Sequence, residues 1–145
     1  MLAEYKIPTN LIQLEILETD ASVDSKLLIR FLQIFKSSGF SLAMDDFGSG
    51  YSSLGMFNSM PIDCLKLDKS FFDSWQPDMS ERDSCLIKYM IKAAHDTGRT
   101  VVAEGIEEKF QVDLLRQYDC DMIQGYYFSK PLPAEEFANK MHKRV

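Results

Sequence analysis

Short apolar runs alternate along the chain with longer stretches in which apolar residues recur every three or four positions, as strands separated by amphipathic helices require. Leu11 to Leu17 predicts a first strand and carries Glu15, with Glu18 just past its end. Asp24 to Ser37 sets Leu27, Leu28, Phe31, Ile34 and Phe35 at helical spacing, and Gly39 stands where a helix stop belongs. Phe40 to Asp45 predicts a second strand, Asp46-Phe47-Gly48-Ser49-Gly50 a turn, and Ser52 to Asn58 a short helix. Pro61 opens a third strand, Ile62 to Leu67, whose alternation turns Lys66 and Asp68 away from Leu65 and Leu67. An irregular connection over residues 73–81 leads to a helical stripe of Leu86, Ile87, Met90, Ile91 and Ala94, closed by Gly98. A fourth strand from Arg99 to Glu104, a helix from Glu108 to Tyr118 and a fifth strand from Asp121 to Tyr126 follow. After Pro131 and Pro133, a last helix runs from Ala134 to about His142 with Glu135 and Glu136 in its first turn.

Five strands joined by helical crossovers predict an α/β fold with parallel pairing, and periodicity leaves open whether the sheet is open or part of a barrel. A chain of 145 residues suffices for one domain with a sizeable core. Its 22 Asp and Glu against 16 Lys and Arg give a formal charge of −6, which argues against a nucleic-acid coat or an electrostatic membrane binder while allowing a local anion site. Cys64, Cys85 and Cys120 lack metal-knuckle spacing and read as small buried hydrophobes in a reducing compartment. The opening MLAEYKIPTN has neither a basic leader nor a long apolar stretch, so the expected location is cytoplasmic.

Polar residues collect at the carboxyl ends of the predicted strands: Glu15 and Glu18, Asp45 and Asp46, Lys66 and Asp68, Glu104 and Glu107, then Gln124. That edge of a parallel α/β fold is where loops surround a common crevice. Glu15, Asp45, Asp46 and Glu104 are hard oxygen donors suited to Mg²⁺ or Mn²⁺, and such ions would let an acidic protein accept an acidic phosphodiester. Adjacent Asp45 and Asp46 cannot point the same way from an extended strand, so one is expected at the last strand position and the other in the turn. The plainer reading is that these acids are solvated turn formers or helix caps. Lys66, in an otherwise apolar strand, either neutralises phosphate charge at a site or snorkels and pairs with Asp68. Gln124 is either a substrate contact or a loop amide. Ser49 and Ser52 fit a special loop beside the site or a purely structural one. His95 and His142 read as scaffold or surface, and Tyr126, Tyr127 and Phe128 as rim packing with a possible stacking role.

Several segments also resemble successive motifs of EAL-type cyclic di-GMP phosphodiesterases. These are Leu14-Glu15-Ile16-Leu17-Glu18-Thr19, Asp45-Asp46-Phe47-Gly48-Ser49-Gly50-Tyr51-Ser52-Ser53-Leu54, Pro61-Ile62-Asp63-Cys64-Leu65-Lys66-Leu67-Asp68, Val101-Val102-Ala103-Glu104-Gly105-Ile106-Glu107 and Gln124-Gly125-Tyr126-Tyr127-Phe128-Ser129-Lys130-Pro131. The resemblance implies a partial TIM-like (β/α) barrel of about five of the eight strand-helix units, in a family whose first strand runs antiparallel. It implies hydrolysis of cyclic di-GMP to linear pGpG at a two-metal Mg or Mn site. By matching motif, Glu15, Asp45, Asp46 and Glu104 are metal ligands, and Lys66, Glu104 and Glu107 are active-site groups. Glu18, Asp68 and Gln124 support the substrate or the loops. Residues 1–145 correspond to a truncated EAL domain, because the Glu-Ala-Leu motif and a later metal-binding asparagine have no counterpart in this sequence. The expected partners are cyclic di-GMP and either a second copy or a complementary protein segment. The alternative is a catalytically inactive cyclic di-GMP sensor or protein-interaction module.

Overall fold

A computed structural model of the chain describes residue 2 and residues 4–17, 25–48 and 58–142. Five strands, β1 Gln13–Leu17, β2 Ser41–Phe47, β3 Cys64–Leu67, β4 Thr100–Ala103 and β5 Met122–Ile123, form one sheet in the order β1-β2-β3-β4-β5. Each neighbouring pair is parallel. Four α-helices, α1 Ser25–Ser37, α2 Glu81–Asp96, α3 Lys109–Gln117 and α4 Ala134–His142, complete the described elements. The α/β class and the parallel pairing follow the sequence expectation. The antiparallel first strand implied for the family barrel has no counterpart among the described strands.

Strand alternation divides the sheet into two unlike faces. Leu42 and Met44 of β2, Leu65 and Leu67 of β3, and Val101 and Ala103 of β4 point into a continuous core with Leu32 of α1, Ile87 and Ile91 of α2 and Val112 and Leu115 of α3. On the other face the buried apolar residues are only Ala43, Cys64 and Val102, a small cluster below the polar residues at the strand ends. Burial of the helix-facing side supplies the main hydrophobic stabilisation, at about 25 cal/mol per Å² of apolar surface removed from water. The small side chains on the other face leave room above it for charged groups.

Several boundaries differ from the sequence reading. Thr9–Leu11 is a 3-10 turn and the strand starts at Gln13, leaving Leu11 exposed because it lies before the paired segment. Strand β2 continues two residues past Asp45 to Phe47. Strand β5 is only two residues long, since the chain turns at Gly125, whose amide neighbours Tyr126–Phe128 hydrogen-bond back to Ile106 and Gly125. That turn leaves Tyr126, Tyr127 and Phe128 exposed rather than packed in a core. Cys64 is buried as expected, whereas Cys85 and Cys120 are only half-buried, and all three are free thiols. The short helix expected from Ser52 to Asn58 falls almost wholly outside the described residues. Helix α1 lies on the sheet through Leu28, Ile29 and Leu32, and its Leu27, Phe31, Ile34 and Phe35 are exposed. No helix among the described residues is long and apolar enough to cross a membrane.

Two aspartates at the opposite edge from the acidic groups hold the sheet together. Asp63 accepts from the Leu42 amide and from Lys36 Nζ. Asp121 accepts from the Val101 amide at 2.8 Å, and its Oδ2 lies 2.8 Å from His95 Nε2. Each therefore satisfies the first inward amide of the strand beside it, where a lost partner would leave a buried donor orphaned. His95 is a scaffold residue, in line with its reading from sequence.

Burial pushes the Asp121 carboxyl up, but the hydrogen bonds from His95 and from the Val101 amide outweigh it and hold it below the ordinary carboxyl range. A carboxyl depressed on folding contributes stability above its unfolded pKa and loses it as pH falls through the lower folded value. Asp121→Asn keeps an acceptor but removes the charge. It is expected to lower the urea midpoint at neutral pH by the equivalent of about 1 kcal/mol. The difference from the parent chain should close in acid; a difference independent of pH would assign the loss to shape.

Candidate active site

The site begins with an irregularity in β2. Met44 pairs with Leu65 and Phe47 with Leu67, so three residue steps on β2 match two on β3. The extra residue makes a β-bulge, and Asp46 adopts φ +52°, a left-handed conformation that aspartate tolerates better than most residues. Met44 and Phe47 both face the core, and Asp45 and Asp46 lie between them. The bulge thereby resolves the difficulty that adjacent strand residues point to opposite faces. Both aspartates belong to the strand, rather than one to the strand and one to the turn.

One carboxylate oxygen each from Asp45, Asp46 and Glu104 lies within 4.8 Å of the other two. Oxygens on opposite sides of a bound Mg²⁺ are about 4.2 Å apart and around Ca²⁺ about 5 Å, so small side-chain rotations suffice for a divalent cation. The donor set is hard and all-oxygen, and it fits such an ion better than a thiolate-seeking metal.

Lys66 lies beside these acids, its residue only 7% exposed. Its Nζ is 2.6 Å from Asp45 Oδ1, 2.8 Å from Glu15 Oε1 and 3.2 Å from Glu104 Oε1. Burial alone depresses a lysine pKa, but the hydrogen bonds to Asp45, Glu15 and Glu104 together exceed that effect and hold the ammonium well above the ordinary lysine range. The lysine is a fixed cation. Asp68, the partner in the snorkelling alternative, is engaged elsewhere: it caps the 3-10 turn Lys69–Phe71 by accepting from the Ser70 amide.

Four acids against one ammonium leave the cluster short of positive charge. Burial, first, and then the negative charges of Asp45 and Glu15 push the Glu104 carboxyl up, with Lys66 opposing them. Desolvation, followed by repulsion from Asp45 and Asp68, pushes Asp46 up as well. A divalent cation would relieve this repulsion, since bound ions are the largest local charges in such a site.

The remaining predicted residues separate into three groups. Gln124 lines an open cleft of about 540 Å³ with Gln13, Glu15, Lys66, Val102 and Phe128, so it shares the site with the lysine. Its amide donates to Ala103 O and its carbonyl accepts from Ile106, which ties the cleft wall to the end of β4. Glu107 is apart from the acidic trio and exposed, 2.8 Å from Lys69 Nζ, and this partner holds its carboxyl below the ordinary range. Glu18, Ser49, Gly50 and Ser52 lie outside the described residues. Sequence reasoning overlooked Lys69, whose only signal was its place directly after Asp68. It also overlooked the bulge, although the apolar spacing Leu42, Met44, Phe47 carries that signal.

A parallel α/β sheet with an acidic, lysine-buttressed site at its carboxyl edge is the class that fold and site define together. The sequence matches the EAL domain over residues 1–131, and the chain belongs to the EAL domain family. It is 39% identical over 129 residues to the cyclic di-GMP phosphodiesterase NbdA of Pseudomonas aeruginosa, covering 87% of this chain and 16% of NbdA. The EAL domain of Mycobacterium smegmatis DcpA superposes with a TM-score of 0.88 at 31% identity, covering 98% of this chain and 63% of that one. A complex of Klebsiella pneumoniae BlrP1 with manganese and cyclic di-GMP superposes with a TM-score of 0.81 at 27% identity, over 90% of this chain and 33% of BlrP1. The chain spans less than a fifth of the length of NbdA and of several other curated relatives.

The bulge and the lysine generate separate tests. Asp46→Gly keeps the left-handed backbone without the carboxylate, so it should fold normally and weaken Mn²⁺ binding in a paramagnetic-resonance titration. Asp46→Val should in addition lose about 1–2 kcal/mol of stability from the φ it must adopt. Lys66→Met leaves three carboxylates facing one another and should cost about 3 kcal/mol in a denaturant melt at neutral pH. The deficit should shrink in acid as the carboxyls take up protons, and on addition of Mn²⁺; a deficit indifferent to both would make the loss one of packing.

Proposed function

We propose that this site hydrolyses one phosphodiester bond of cyclic di-GMP to give linear pGpG, with Mg²⁺ or Mn²⁺ as its ion. The observation that carries the reading is the closure of Asp45, Asp46 and Glu104 on one point beside Lys66. The cyclic di-GMP phosphodiesterase relatives and the manganese complex of BlrP1 support it. Asp45, Asp46 and Glu104 are the groups that would hold the cation, and Glu15 would join them or remain on Lys66. When bound, a divalent cation supplies Lewis acidity, activating water and offsetting phosphate charge.

The chain's own residues do the rest. Lys66 stays protonated and is held by three carboxylates, so it serves to orient water and to offset negative charge on the phosphate, not as a base. Gln124 offers an amide on the cleft wall for a hydrogen bond to substrate. Asp68 and Glu107 shape the rim through the turn and Lys69 that they hold. The three free cysteines support a cytoplasmic setting. Strands β1 and β5 end the described sheet, and a second copy or a complementary protein segment is the partner that would cover such edges.

A second reading has its own observation. Among the described residues one carboxylate trio is found, and Glu15 bonds to Lys66 outside it. A site that binds the dinucleotide on one ion without cleaving it would be a sensor or interaction module. Incubation with cyclic di-GMP and Mn²⁺, with chromatography for pGpG, separates the two. Turnover that drops by about 100-fold or more in Asp45→Asn supports hydrolysis. Saturable binding without product establishes the sensor, and neither binding nor product removes both.

A further inference from the structure

The acidic trio comes from β2 and β4, which are not neighbours: β3 lies between them. The spacing of the three carboxylates therefore depends on whatever joins the loop after β2 to the loop after β4. The 3-10 turn Lys69–Phe71, which follows β3, touches both. Asp68 fixes its start by accepting from the Ser70 amide at 3.0 Å, and the Phe72 amide closes it on Lys69 O at 2.8 Å.

From this turn one side chain reaches each flanking loop. The Phe71 ring lies over Gly48, two residues after Asp46, so closely that a Cβ there would overlap the ring. The Lys69 stem lies over Gly105, the residue after Glu104, where a Cβ would come within 2.6–2.9 Å of Lys69 Cβ, Cγ and Cδ. Both glycines have positive φ, +97° and +67°, so only glycine meets the backbone and the close approach together. Beyond Gly105, Lys69 Nζ reaches Glu107 Oε1 at 2.8 Å, and the 104–107 loop is held beneath the lysine chain.

We propose that the turn Lys69–Phe71 is a positioning clamp: Phe71 seats the loop after Asp45 and Asp46, and Lys69, braced by Glu107, seats the loop after Glu104. The clamp rests on the cation-site reading above. Residues behind the ligands of a metal site set their orientation, and their loss typically weakens metal binding by about 10–100-fold. On this account Glu107 acts through Lys69 as a positioning residue.

The test compares Lys69→Ala, Lys69→Met and Phe71→Ala with Met90→Ala, a core-packing change in α2 away from the turn. Two quantities are read on the whole chain: Mn²⁺ affinity by paramagnetic resonance and hydrogen exchange of the Glu104 amide, which donates to Leu67 O. Lys69→Ala and Phe71→Ala should each weaken Mn²⁺ binding by about tenfold or more. They should also speed Glu104 exchange by about tenfold. Lys69→Met, which keeps the stem over Gly105, should lose less of both, and Met90→Ala should lose stability without losing affinity. The clamp is overturned by variants that bind Mn²⁺ like the parent, or whose losses follow melting temperature as in Met90→Ala. A parent chain that binds no Mn²⁺ sinks the cation reading instead. Exchange at Glu104 then decides the clamp alone, with faster exchange sustaining it as a loop lock and unchanged exchange ending it.

Discussion

Lys66 is the interaction on which the site depends. An ammonium this deeply buried is tolerable only with partners, and Lys66 has three, one from each of β1, β2 and the end of β4. The same three carboxylates would repel one another without it. One charge on the central strand thus holds together acidic groups from strands on both sides. The residual excess of negative charge gives the site its affinity for a cation.

The backbone arrangement that permits this is the bulge at Asp46. Ordinary alternation would direct one of two consecutive aspartates into the apolar core between Met44 and Phe47. A single left-handed residue keeps both core side chains in place and turns both carboxylates to the charged face. The two faces of the sheet then divide the work. Large aliphatic residues under the helices provide stability, and small Ala43, Cys64 and Val102 on the other side leave the volume that a charged cluster and its ligand need. The central strand contributes at both levels, because Lys66 lies within it and the turn after it meets the loops on either side.

Membership of the EAL family accounts for the order of the motifs. The geometry accounts for why residues so far apart in the chain belong to one site. Glu107 is the instructive case, since its motif pairs it with Glu104 while the structure sets it on Lys69, outside the trio. Nearness in sequence to a site residue did not translate into membership of the cluster, because the loop after Glu104 turns sharply at Gly105.

The amino-acid sequence by itself determined the alternation of strands and helices, the parallel α/β class and the carboxyl-end location of Glu15, Asp45, Lys66, Glu104 and Gln124. Each of these follows from local periodicity and from the chemistry of short motifs. Boundaries at Gln13, Phe47 and Ile123 escaped it, because strand ends are set by pairing with neighbours rather than by the propensity of the terminal residues. The tertiary structure alone decided which acids close on one point, that Lys66 pairs with Glu15, Asp45 and Glu104 and not with Asp68, and that Lys69 and Phe71 span two glycines. Those are distances between strands remote in sequence, and they depend on register, a bulge and close packing that only the assembled sheet defines.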